Sequence, residues 1–104
     1  MTSNLGDLEE LILLAVKGED GRGYSVSICD LLNQAGRKVS ITAVQTTLTR
    51  LEEKGLVRSN LGDPTPERGG RRKRFFQIEG AGASALQDAE SQRATLRELI
   101  PGLI

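Results

Sequence analysis

Apolar positions crowd the start of the chain. After Leu8 only Glu9 and Glu10 precede an unbroken run of Leu11, Ile12, Leu13, Leu14, Ala15 and Val16. Asp7, with Glu10 three residues on, has capping-box spacing, and Gly18 is a stop signal, so the segment predicts a helix between them. A helix that is apolar on nearly every side must be covered on nearly every side. In a small domain one side faces the chain's own core, and the other is expected against a second chain.

The next two segments are one-sided. Ile28, Leu31, Leu32 and Ala35 fall at helical spacing, closed by Gly36. In VSITAVQTTLTRLEEKG, Ser40 is the expected N-cap, and Ile41, Val44, Leu48 and Leu51 step by three, four and three into a single stripe. Gly55 closes this third helix. Its other face carries Thr42, Ala43, Gln45, Thr46, Thr49 and Arg50. These side chains are mostly short and rich in hydroxyl and amide groups. They fit an ordinary exposed face, and equally a face that enters a nucleic-acid groove, where short donors and acceptors meet base edges and phosphates.

After Gly55 the period changes to two. LVRSNL and RKRFFQI each fit a short strand, and the Gly- and Pro-rich GDPTPERGGR between them reads as a loop, giving a hairpin. Strand alternation puts Phe76 and Ile78 on one face, toward the helices, and Phe75 and Gln77 on the other. The chain ends in a helix with a discontinuous stripe of Ala85, Leu86, Ala89, Leu96, Leu99, Ile100 and Leu103, interrupted at Gln92 and Arg93 and limited by Pro101.

Charge sharpens this picture. The 104 residues are neutral overall, with 14 basic and 14 acidic side chains, but the distribution is uneven. Residues 1–36 carry a net −4, residues 37–74 a net +6, and residues 75–104 a net −2. The basic middle culminates in RGGRRKR, where Arg68, Arg71, Arg72, Lys73 and Arg74 stand just before the paired phenylalanines. Such a run is a solvated loop or a polyanion-binding surface.

Other chemistry is sparse. Histidine and tryptophan are absent, and Cys29 is the single cysteine. Histidine-based acid–base catalysis, Cys/His zinc sites and internal disulfides are therefore excluded. No phosphate-loop or dinucleotide fingerprint occurs, no cofactor or metal is expected, and no residue pair suggests an enzyme. No apolar run is long enough to span a membrane, and the N-terminus lacks a signal-like pattern, so a cytoplasmic location is expected. Cys29 reads as a small hydrophobe beside an apolar stripe.

The element order (three helices, strand, loop, strand, helix) predicts a mostly α fold with a small β-hairpin, an α+β winged helix-turn-helix with one added C-terminal helix. The basic run becomes the tip of the wing. At this level the chain resembles PadR-type winged-helix transcriptional regulators of the short C-terminal helix branch. LGDLEELILLAV resembles that family's opening helix, GYSVSICDLL its second helix, LTRLEEKGLV the end of its recognition helix, and RGGRRKRFFQI its wing. The four blocks span about residues 5 to 86. Departures are Gln45, where the family usually has tyrosine, and Glu79, where it usually has threonine.

The resemblance and the residue pattern together imply residues 1–79 as a DNA-binding domain and residues 80–104 as a dimerisation helix packed on it. The expected function is a homodimeric, sequence-specific regulator of transcription, a repressor, acting on a palindromic double-stranded operator. Thr42, Ala43, Gln45, Thr46, Thr49 and Arg50 would face the major groove. Arg68, Arg71, Arg72, Lys73 and Arg74 would meet phosphates or an adjacent minor groove. Leu8, Leu11, Ile12, Leu86, Ala89, Leu96, Leu99 and Ile100 would form the dimer interface. The sequence assigns no small-molecule effector. The alternative is a winged-helix module that binds protein or RNA without reading DNA sequence.

Overall fold

The computed structural model describes residues 5–64 and 72–102. Helix α1 (Asp7–Glu19) is capped by Gly6 rather than by Asp7. The cause is Glu9, whose carboxylate accepts the Gly6 N–H at 2.8 Å, while Asp7 pairs with Arg37. Gly18 does not stop this helix. It continues to Glu19, and Asp20 makes the left-handed turn at φ 51°.

Helices α2 (Ser25–Gln34) and α3 (Ile41–Glu53) end in the same way. At the end of α3, Gly55 adopts φ +76°, so its N–H reaches the Glu52 carbonyl and the Leu56 N–H reaches the Leu51 carbonyl, each at 3.0 Å. Gly36 does the same after α2, its N–H reaching the Asn33 carbonyl and the Arg37 N–H reaching the Leu32 carbonyl. Both are Schellman closures, which need a residue that tolerates positive φ. At the other end of α3, Ser40 Oγ accepts the Ala43 N–H at 3.1 Å, as its N-cap role requires.

Strands β1 (Val57–Pro64) and β2 (Arg72–Ile78) pair antiparallel, with Val57 opposite Ile78 and Ser59 opposite Phe76. The pairing loses regular register between Leu61 and Pro64. β1 thus runs three residues beyond the expected LVRSNL strand. The Phe76 N–H also donates to the Gly23 carbonyl at 2.9 Å, so the entry to α2 borders the hairpin.

Helix α4 (Gly80–Leu99) begins in tight contact with the start of β1. A Cβ on Gly82 would lie 2.1 Å from the Leu56 carbonyl oxygen, so only glycine permits this approach. In the second half of α4 Arg93 pairs with Glu10 of α1, yet every residue from Ser91 to Ile100 is exposed. The molecule is elongated, 58 × 28 × 20 Å.

Every element contributes to one core. Ile12, Leu13 and Val16 meet Ile28 and Leu32 of α2, Val44, Leu48 and Leu51 of α3, Val57, Phe76 and Leu86. This corrects two interface assignments. Ile12 is 0% exposed and Leu86 is 1% exposed, so neither has surface left for a second chain. The architecture is an α+β winged helix-turn-helix extended by α4.

Candidate nucleic-acid interface

Helix α3 presents Thr42, Gln45, Thr46, Thr49 and Arg50 to solvent, while Val44, Thr47, Leu48 and Leu51 anchor its other side in the core. Ala43 is half-buried and contributes little beyond a methyl at the edge of the face. The threonines are not equivalent. Thr49 Oγ1 donates to the Gln45 carbonyl at 3.0 Å, and buried Thr47 donates to Ala43 at 2.8 Å. Such back-bonding leaves the Thr49 hydroxyl with acceptor lone pairs only. Thr42, Gln45, Thr46 and Arg50 make no side-chain hydrogen bond among the described residues, so their polar groups are open to a ligand.

The wing is tied to the end of this helix by a short polar chain. Arg74 Nη1 donates to Ser59 Oγ at 3.0 Å, and Ser59 Oγ donates to Glu52 Oε2 at 2.7 Å. Arg74 therefore lies on the α3 side of the hairpin. Arg72, two residues away and on the same strand face, donates through Nε to the Gly62 carbonyl at 2.8 Å. Its other guanidinium donors have no partner among the described residues. Lys73 points to the opposite face, with Nζ 4.5 Å from the centroid of the Tyr24 ring. Arg68 and Arg71 lie outside the described residues.

The exposed helix face and the flanking cations rest on a charged anchor that the sequence pattern did not reveal. Glu9 is buried at the start of α1, yet Lys54, just past the end of α3, reaches it at 2.8 and 3.0 Å. Burial pushes the Glu9 carboxyl up. The Gly6 N–H, the Lys54 ammonium and the nearby Arg50 charge outweigh burial and hold it below the usual carboxylate range. Arg58, also in the basic middle of the chain, is taken up by Glu79 at 2.5 Å and by Gln77 at 2.9 Å.

Apart from Ile12 and Leu86, which are in the core, the residues expected at a dimer interface divide into two groups. Leu8 and Leu11 are half-buried against the chain's own core and Ala89 is half-buried on α4, while Leu96, Leu99 and Ile100 are 57%, 72% and 42% exposed. Between α1 and α2 an open apolar groove of about 390 Å³ is lined by Leu11, Leu14, Ala15 and Leu31, among others. Cys29 is half-buried, with Sγ 3.6 Å from the Val39 carbonyl. Among the described residues no cluster suits a metal ion, and no helix is long and apolar enough to cross a membrane.

No protein-family model and no curated protein matches the sequence. Solved structures do. A PadR-like transcription factor from Bacteroides fragilis is 25% identical, with 88% of this chain and 84% of that chain covered and a TM-score of 0.74. A PadR family transcription regulator from Clostridium difficile R20291 is 17% identical, with 90% and 94% covered and a TM-score of 0.75. A PadR-like transcriptional regulator from Bacillus cereus is 22% identical, with 91% and 92% covered and a TM-score of 0.70. The fold of this chain is the PadR-like winged helix.

Proposed function

We propose that the chain is a sequence-specific, double-stranded DNA-binding regulator of transcription that acts as a homodimeric repressor. The observation that carries this reading is the open polar face of α3 beside a wing whose Arg74 is fixed to the end of that helix through Ser59 and Glu52. In the major groove Gln45 has the bidentate amide that pairs with adenine, and Arg50 has the fork that suits guanine or phosphate. Arg72 and Arg74 supply the positive charge that phosphates require, and net neutrality of the chain does not oppose this because only the docking face need be positive.

The homodimer rests on α4. Ten consecutive exposed residues that include Leu96, Leu99 and Ile100 make a poor solvent-facing helix end. A second copy, with its α4 against α1 and the α1–α2 groove, would cover both surfaces by one two-fold axis. Two recognition helices related by such an axis match a palindromic operator.

Light scattering followed by selection from random duplexes and a salt titration of the winner tests the proposal. A dimer that enriches a palindrome, with affinity falling steeply with salt, is the expected result. A monomer, or a dimer that enriches no sequence, would overturn it and leave the basic wing to an acidic protein or RNA.

A further inference from the structure

Alternation along β2 divides the basic run, and the two sides have different surroundings. Arg72 and Arg74 share the face that leads to α3. Lys73 shares its face with Phe75, and both meet Tyr24, the residue that caps α2. The Phe75 ring stands edge-on to the Tyr24 ring, with centroids 5.9 Å apart and planes at 76°. The Lys73 ammonium covers the same ring at 4.5 Å. One residue earlier in the chain, the Gly23 carbonyl takes the Phe76 N–H. Lys73, Phe75 and Phe76 of the wing strand are thus bound to two successive residues at the entry to α2.

We infer that Lys73 is a positioning residue rather than a phosphate ligand: with Phe75 it clamps the wing to Tyr24, and this sets the direction in which Arg72 and Arg74 are presented. The edge-to-face arrangement places the positive rim of one ring against the negative face of the other. The ammonium is drawn to the face of the Tyr24 ring by the same kind of quadrupole. A two-stranded hairpin is marginal alone, so a clamp outside the core matters for its orientation. A lysine engaged this way contributes to DNA affinity without exchanging counterions with the duplex. Only the last consequence rests on the DNA-binding reading. The clamp itself does not.

The salt dependence separates the two roles. Removing a phosphate contact flattens the slope of log affinity against log salt by about 0.9. Removing a positioning contact lowers affinity at every salt concentration and leaves the slope alone. The test uses the full chain, the variants Lys73→Gln, Lys73→Arg, Tyr24→Leu and Tyr24→Phe, and a mixed-sequence duplex of about two helical turns. Lys73→Gln is expected to weaken binding roughly two- to fivefold with an unchanged slope, from the strength of an exposed cation–π contact. Tyr24→Leu, which also removes the Phe75 contact, should lose at least as much with an unchanged slope, adding Lys73→Gln to it should cost nothing further, and Lys73→Arg and Tyr24→Phe should bind as the parent does. A Lys73→Gln slope flatter by about 0.9, with Tyr24→Leu unaffected, would overturn the inference.

An independent readout needs no DNA. The Lys73 ε-carbon is bonded to the ammonium that lies over the Tyr24 ring, so its protons should resonate upfield in the NMR spectrum of the free protein, an effect abolished by Tyr24→Leu. The upfield shift should persist when the duplex is added. Its absence from the free protein, or its loss on binding, would overturn the clamp. A parent protein that shows the shift but binds no duplex would instead refute the DNA-binding reading and leave the clamp standing.

Discussion

Lys54 reaches back across 45 residues of chain to Glu9, its Nζ lying 2.8 Å from one carboxylate oxygen and 3.0 Å from the other. The contact fastens the end of α3, which carries the candidate base-reading face, to the first turn of α1. Glu9 is also the residue that caps α1 through the Gly6 N–H. One buried carboxylate thus serves a helix terminus and an inter-helix tie together.

That double role gives stability a defined dependence on pH. The Glu9 carboxyl lies below the usual range in the folded chain, so its contribution is fully present above the ordinary carboxylate pKa and is lost as pH falls through the lowered folded value. Thermal unfolding should therefore show an acid-side decline that Glu9→Gln reduces. At neutral pH Glu9→Gln should cost about 1–3 kcal/mol, and Lys54→Met should cost a comparable amount because it leaves the buried carboxylate without its cation. An acid limb of equal depth in Glu9→Gln and the parent would show that other groups control it.

Two glycines should respond in opposite directions to the same substitution. Gly82→Ala forces a methyl against the Leu56 carbonyl, a backbone atom that is itself held by the Glu79 N–H at 2.9 Å. The junction between α4 and β1 must open, at a cost of about 1–3 kcal/mol. Gly18 lies inside α1 with nothing within 4 Å of its would-be Cβ, so Gly18→Ala should stabilise by about 0.4–1 kcal/mol. Denaturant unfolding of the two variants checks the contrast.

The contrast also marks what a sequence can and cannot disclose. The α3 stripe from Val44 to Leu51, the Ser40 cap and the glycine closures at Gly36 and Gly55 depend on residues within a turn or two of one another and are legible, whereas Ile41, at the head of the expected stripe, is 38% exposed. Gly18 misled because any glycine near a helix end resembles a stop, while Asp20 took the left-handed position. The phase of α1 was hidden for a different reason. A helix that is apolar all round has no preferred face until its neighbours are known, so Ile12 was placed at an interface and lies in the core. Leu86 shared that fate because Gly82 brings the start of α4 down onto β1. The contacts of Glu9 with Lys54, and of Lys73 with Tyr24, join residues distant in sequence with no local signature. The candidate base-reading residues were easier, since a surface helix face follows directly from its buried stripe.

The exposed end of α4 provides a test of assembly separate from DNA. Leu96→Asp combined with Leu99→Asp places charge on a surface that the chain itself leaves open, so the monomer fold should be unaffected. If a second copy covers that surface, the parent's melting temperature should rise with protein concentration and the variant's should not. Light scattering should give half the mass for the variant. A parent whose mass is that of one chain would remove α4 as a dimerisation element.

The sharpest test of the candidate interface uses the unequal positions of its polar residues. Gln45 is open on α3, so Gln45→Ala should cost about 1–3 kcal/mol and blur one base position. Arg74→Gln should weaken binding to all sequences and flatten the salt slope by about 0.9. Thr49 is different because its hydroxyl proton is held by the Gln45 carbonyl. Thr49→Val keeps the shape and removes a donor that was never free to meet DNA, so affinity should change by less than about twofold. Thr46, whose hydroxyl has no partner among the described residues, should lose more on the same change. The argument extends to Glu52, which holds Ser59 beneath Arg74 and places a negative charge beside the docking face. Glu52→Gln keeps a group able to bond Ser59 and removes that charge, so duplex affinity should rise. Measured affinities that rank Thr49→Val below Thr46→Val, or that fall with Glu52→Gln, would mean that another face of the protein meets the duplex.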